Sequence, residues 1–139
     1  MATSDTFATI YLEGTFGSAK GTNAPATVYV ALSSTAPAVS VGVLGNITEP
    51  TNGSYARVAI TNNDTNWTTT GRTVTNNIAV EFPTATANWD ANAAYAVLYD
   101  AATAGNALVS CSLGSSTAVL TGVRVVLDAG SITLTVPNT

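Results

Sequence analysis

The sequence contains no histidine, a single cysteine, and only four lysine and arginine residues in 139. Each shortage removes a class of chemistry. Histidine is the usual general acid or base near neutral pH, so Ser-His-Asp and Cys-His catalytic sites are excluded. Cys111 has no second cysteine to pair with in the chain and no histidine with which to build a zinc site. Lys20, Arg57, Arg72 and Arg124 are too few cations to track a phosphate backbone, so no nucleic-acid binding is expected. The net charge of −4 and pI of about 4.2 also disfavour an anionic membrane surface. No apolar run approaches the roughly 20 residues of a membrane-spanning helix. The opening Met1-Ala2-Thr3-Ser4-Asp5-Thr6 carries no basic region leading into an apolar stretch, so no secretory signal is expected there. No glycine-rich phosphate loop is present, and no cofactor or metal is expected.

What is abundant is Thr, Asn, Ala and Gly. Hydrophobic residues reach 46% while charged residues stop at 9%, against roughly 25% in an ordinary soluble domain. With a mean hydropathy of +0.29, solubility must rest on hydroxyls and amides. The length predicts one domain over residues 1–139, able to bury about two thirds of its unfolded surface without disulfides.

Residues 5–16 give the only helical spacing. Phe7, Ile10 and Tyr11 fall three and four apart, Ser4 or Asp5 can cap the start, and Gly14 can stop the run. Residues 1–24 are therefore expected to form a helix or arm. Beyond them the period becomes two. Val28, Val30 and Leu32 share one face of a strand, as do Val58 and Ile60, and Ile78, Val80 and Phe82. Residues 94–99 form an almost unbroken apolar run, expected mid-sheet with both faces covered. Trp67-Thr68-Thr69, residues 108–113, residues 118–120 and two closing runs, 123–127 and 132–136, complete the set. The last two are expected to form a hairpin through Asp128-Ala129-Gly130-Ser131. Residues 33–51, with Pro37, Gly42, Gly45 and Pro50, read as a long connection. The expected fold is all-β: about eight short antiparallel strands in a β-sandwich or jelly roll, with a short N-terminal helix.

Few residues could carry chemistry. Glu13, Glu49, Glu81, Asp64, Asp90, Asp100 and Asp128 are candidates for a glycosidase pair, but most lie beside turn residues, where carboxylates cap or face solvent. The Asn62-Asn63-Asp64 loop is oxygen-rich without EF-hand spacing. Trp67 and Trp89 either plug the ends of a sandwich, the favoured reading, or stand exposed and stack on sugars. Arg57 and Arg124 can pair with Glu49, Glu81 or Asp128, or meet a partner's acidic patch. Cys111 reads as a small buried hydrophobe. Four Asn-X-Ser/Thr matches, at Asn46, Asn52, Asn63 and Asn66, are what such an Asn- and Thr-rich composition produces by chance. No enzymatic activity is expected.

Several blocks, in order, are more specific. Ala26-Thr27-Val28-Tyr29-Val30-Ala31-Leu32-Ser33 precedes Thr35-Ala36-Pro37. Thr48-Glu49-Pro50 precedes Gly53-Ser54-Tyr55-Ala56-Arg57-Val58. Trp67 and Ile78-Ala79-Val80-Glu81-Phe82-Pro83-Thr84-Ala85 follow, then Trp89. Asp100-Ala101-Ala102-Thr103-Ala104-Gly105-Asn106-Ala107-Leu108 and Asp128-Ala129-Gly130-Ser131-Ile132-Thr133-Leu134 close the series. Taken together, residues 5–136 resemble a family of small tailed-phage virion proteins, described as tail-fibre-like or as capsid decoration (cement) proteins. The stretch 115–126 departs from the family pattern by being more apolar.

The resemblance implies a virion structural protein, made in the bacterial host cytoplasm, with no catalytic residues to transfer. The favoured expectation is a cement protein on the capsid exterior that binds the outer surface of the major capsid protein shell and stabilises it, as a dimer or trimer. The alternative is a tail or tail-fibre component that binds host glycan. Candidate partner contacts are Phe7, Tyr11 and Phe16 in the N-terminal segment, Val39, Val41, Val43 and Leu44 in the long connection, and Arg57 and Arg124.

Overall fold

The computed structural model describes residues 2–8 and 24–136. Among the described residues are twelve strands, all paired antiparallel, which bear out the all-β expectation. The central sheet has five strands in the order β1-β10-β9-β2-β5: Ala2–Thr3, Ala107–Thr117, Ala93–Tyr99, Thr27–Ser33 and Val58–Thr61. β2 and β9 lie in its middle and are buried on both faces. The Val30↔Leu98 pair faces the larger core, and the neighbouring Ala31↔Val97 pair faces the smaller one. A strand covered on both sides needs apolar residues at successive positions, which is why 94–99 reads as a continuous run.

The larger core is closed from the other side by two short sheets. One orders β12-β7-β6: Thr133–Thr135, Thr73–Asn76 and Trp67–Thr70. The other pairs β11, Val126–Leu127, with β8, Val80–Glu81. Between them they bring Trp67, Val80, Leu127 and the adjoining Phe82 and Ile132 against the central sheet. The second layer, expected as one sheet of a sandwich or jelly roll, is thus divided. Its strands are two to four residues long, too short to run past one another into a single sheet.

Threonine supplies the outer surface of this layer. Across the three-stranded sheet the register aligns Thr68, Thr75 and Thr133 in one row and Thr70, Thr73 and Thr135 in the next. Paired residues share a face, so both rows stand on the same side. The intervening Val74 and Leu134 pack on the core.

Two further expectations change. Residues 33–51 are not a plain connection: β3, Ala38–Ser40, and β4, Val43–Gly45, form a hairpin over Val41 and Gly42. Both turn residues have positive φ, 50° and 74°, as a two-residue turn of the I′ type requires. Gly42 suits the turn because its φ of 74° strains any side chain, and a Cβ there would also push the Asp5 carboxylate aside. The hairpin covers the smaller core with Leu44, which is 3% exposed.

The closing hairpin also fails to form. The turn at 128–131 is present, with Ser131 N–H donating to Asp128 O at 3.0 Å, but its arms join different sheets. Asn76 is the reason. Its buried side chain donates to Asp128 O (3.0 Å) and Ile78 O (2.8 Å) and accepts from Ile132 N–H (2.8 Å). Gly130 N–H adds a bond to Asn76 O at 2.7 Å. The turn is therefore pinned to β7, and the chain leaving it pairs there. Residues 118–120, expected as a strand, are irregular. Val119 is buried while Leu120 stands 56% exposed.

At the N-terminus residues 5–8 form one helical turn, with Phe7 N–H donating to the Ser4 hydroxyl at 3.2 Å. The remainder of the expected helix, with Tyr11 and Phe16, lies outside the described residues.

Replacing Asn76 by Ala leaves the buried Ile132 N–H without its acceptor and removes the donor shared by the part-buried Ile78 and Asp128 carbonyls. Asn76→Ala is expected to cost about 3 kcal/mol, read as a lowered midpoint in urea unfolding, with the 126–135 amides losing hydrogen-exchange protection first.

Candidate interaction surface

The Glu-Pro and Tyr-Ala-Arg-Val blocks meet in space. Arg57 Nη2 lies 2.6 Å from Glu49 Oε1, and Nε donates to Oε2 at 3.1 Å, a two-pronged pair. Nη1 donates to Ala101 O (2.9 Å) and Ala104 O (2.8 Å). The guanidinium plane sits 3.4 Å over the Tyr99 ring. Side-chain exposure is 9% for Arg57 and 20% for Glu49. Burial alone would lower the Arg57 pKa, but the Glu49 carboxylate more than reverses this and the group is held above its ordinary value.

Tyr55 extends the cluster. Its hydroxyl donates to Glu49 Oε2 at 3.0 Å and accepts from Leu32 N–H at 2.9 Å. Burial, reinforced by the Glu49 charge, pushes the phenol far above the usual tyrosine range. The Tyr55 ring stacks on Phe82 with centroids 6.1 Å apart and meets Trp89 edge-on at 5.2 Å. Trp89 Nε1 donates to Gly53 O at 3.2 Å. Gly53 admits no side chain, since a Cβ would lie 2.5 Å from Ala87 O. Arg57 and its surroundings thus join three chain segments to the central sheet. This cluster holds loops in place and commits four of the five Arg57 N–H donors to the chain's own oxygens.

The other basic candidate is placed differently. Arg124 Nη1 lies 3.2 Å from Glu81 Oε2, with the side chains 51% and 58% exposed. Trp67 and Trp89, at 9% and 7% exposure, occupy the buried role and present no open ring to a sugar. Of the carboxylates, Asp100 closes its own loop on Asn106. Asp90 accepts from the Thr51 hydroxyl and N–H, and this holds its carboxyl below the usual range. Asn63 uses its side-chain oxygen on Thr65 and Asn66 N–H groups, which shapes the loop at 62–66.

Three exposed apolar residues gather where the sequence shows the long connection. Val39, Val41 and Val43 are 47%, 98% and 66% exposed around the hairpin tip. Val41 is unusual twice over, being fully solvated and holding a β-branched side chain at positive φ. Phe7 is half-buried against the larger core, and Leu44 is turned inward. Leu120, Val123 and Val126 add exposed apolar surface from the stretch that departs from the family pattern. They were not singled out from sequence; only their apolar character marked them.

The family described as Podophage GP4 fiber I protein gp80 matches this chain over residues 2–135. No curated protein matches it.

The two ion pairs are expected to separate sharply in unfolding experiments. Arg57→Ala leaves Glu49 buried without its partner and should cost about 3 kcal/mol. Arg124→Ala should stay within about 0.5 kcal/mol of the parent protein, because an exposed pair is screened by water.

Proposed function

The chain belongs to the Podophage GP4 fiber I protein gp80 family of tailed-phage virion proteins, and on that premise we propose that it is a fibre-type tail component that acts by docking on neighbouring virion subunits. The observation that carries the docking is the β3–β4 hairpin. An isolated subunit gains nothing from a valine held at φ 50° and 98% exposed. A partner's apolar surface would recover that exposure. The hairpin rests on Leu44 in the smaller core and on the Gly42 carbonyl, which accepts from Asp5 N–H at 2.6 Å. It is therefore a positioned tip and not a loose loop. No step of this function requires an ionisable group, in keeping with a chain that is 9% charged.

Capsid decoration is the second reading, with the chain on the outer surface of the major capsid protein. The nearly uncharged surface favours it, because many weak contacts repeated by lattice symmetry add avidity without ion pairing. Self-association as a dimer or trimer belongs to either reading.

Gold-labelled antibody on intact virions separates them. Label confined to the tail supports the fibre role. Label spread over the head, together with binding of purified protein to expanded capsids that lack it, replaces that role with decoration.

Val41→Asn tests the hairpin itself. Asparagine tolerates positive φ, so the isolated protein should gain about 1 kcal/mol in unfolding. The same variant should incorporate less well into virions. Undiminished incorporation would show that the tip is not the docking element.

A further inference from the structure

Asn52 is the only asparagine of the chain followed by glycine. An asparagine amide carbon lies within reach of the next residue's backbone nitrogen, and a following glycine puts no side chain in the way. Asn52 is exposed, so water reaches it. The pair sits in a tight turn over residues 52–55. Tyr55 N–H donates to Asn52 O at 3.2 Å, and Gly53 and Ser54 hold φ at 61° and 64°.

This turn is clasped to residues 86–90. Asn52 Nδ2 donates to Asn88 O at 2.9 Å, and Asn52 Oδ1 accepts from Asp90 N–H at 3.0 Å. Gly53 O accepts from Thr86 N–H at 3.0 Å and from Trp89 Nε1 at 3.2 Å. The Asp90 carboxylate closes the clasp from the other side, accepting from Thr51 N–H at 2.8 Å and from the Thr51 hydroxyl. Both ends of the Asn52 amide are thus tied to residues 88 and 90. Its carbon can swing toward Gly53 N only after both bonds open.

We propose that Asn52 is a site of spontaneous deamidation, held in check by this clasp and converted when the clasp opens. In the opened turn Gly53 N bonds to Asn52 Cγ. The Cγ–Nδ2 bond breaks, and the nitrogen leaves as ammonia with the proton that Gly53 N gives up. One water molecule then opens the resulting ring at either carbonyl, giving aspartate or its β-linked isomer. No side-chain catalyst takes part, so a chain without histidine can undergo it. For the clasp the change is one-way. The product has no Nδ2 donor for Asn88 O, and its new carboxylate lies against that carbonyl and beside Asp90. The β-linked isomer also adds a backbone carbon to a tight turn. The proposal stands apart from where in the virion the protein sits.

Peptide mapping of protein kept at mildly alkaline pH reads the conversion, as the mass gained on exchanging nitrogen for oxygen and as β-linked aspartate at position 52. The folded protein should convert about thirtyfold more slowly than the same chain in guanidinium chloride, because two hydrogen bonds worth about fivefold each must open. Asp90 is exposed, so Asp90→Ala leaves the core intact while removing both Thr51 bonds. It should raise the folded rate about tenfold and leave the rate in denaturant unchanged. Asn52→Asp, which installs the product directly, should fold with a Trp89 indole proton that exchanges faster than in the parent protein. Equal rates in the folded and denatured chain would overturn the proposal, since the clasp would then restrain nothing. An unchanged folded rate in Asp90→Ala would overturn it too, as would conversion confined to other asparagines. A Trp89 indole proton as slow in Asn52→Asp as in the parent would show that the product does not hold the clasp open.

Discussion

The Glu49–Arg57 pair is the interaction on which the rest of the molecule depends. A buried ion pair is weak evidence for stability in itself, because desolvation opposes its attraction. Here it is spared most of that opposition. Arg57 is bonded on three nitrogens and stacked on Tyr99, and Glu49 also accepts from Tyr55. Its effect is geometric. It fastens the loop after the hairpin and the loop at 100–106 to the same end of the central sheet. Tyr55 carries the restraint onward through Phe82 and Trp89 into the larger core. In a chain with four basic residues, one is thus committed to internal architecture.

Scarcity of charge shapes the outside as well. Rows of threonine across the three-stranded sheet keep that face wet without carboxylates or ammonium groups. Threonine suits the position because its β-branched body fits a pleated face and its hydroxyl meets water. Such a surface has little long-range electrostatic steering. The docking proposed above would then rely on shape and apolar contact, with the valine-bearing hairpin, held from beneath by the smaller core, as its point. A virion protein of the fibre family, present beside other subunits at fixed geometry, can use contacts too weak to hold two free molecules together.

The split between the legible and the hidden follows the range of the forces involved. Alternation of apolar and polar residues is local, so the β class, strands β2, β5 and β9, and the double burial of 94–99 could all be read along the chain. The pairing of Arg57 with an acidic residue was one of a few options, because so few charges exist. The hairpin over Val41 and Gly42 was hidden because valine is a poor signal for a positive-φ turn. The order of the blocks in sequence marked the family, yet nothing in that order showed that two of them close on one guanidinium.

By itself, the sequence determined the chemistry left out and the strands put in. Lack of histidine and of clustered cations is a property of composition, and two-residue periodicity is a property of neighbours; neither needs a fold to be true. Only the tertiary structure decided which strands meet. The 128–131 turn looks like a hairpin until Asn76, more than fifty residues earlier, pins it to another sheet. That choice rests on satisfying a buried amide, and burial is defined only once distant segments have come together.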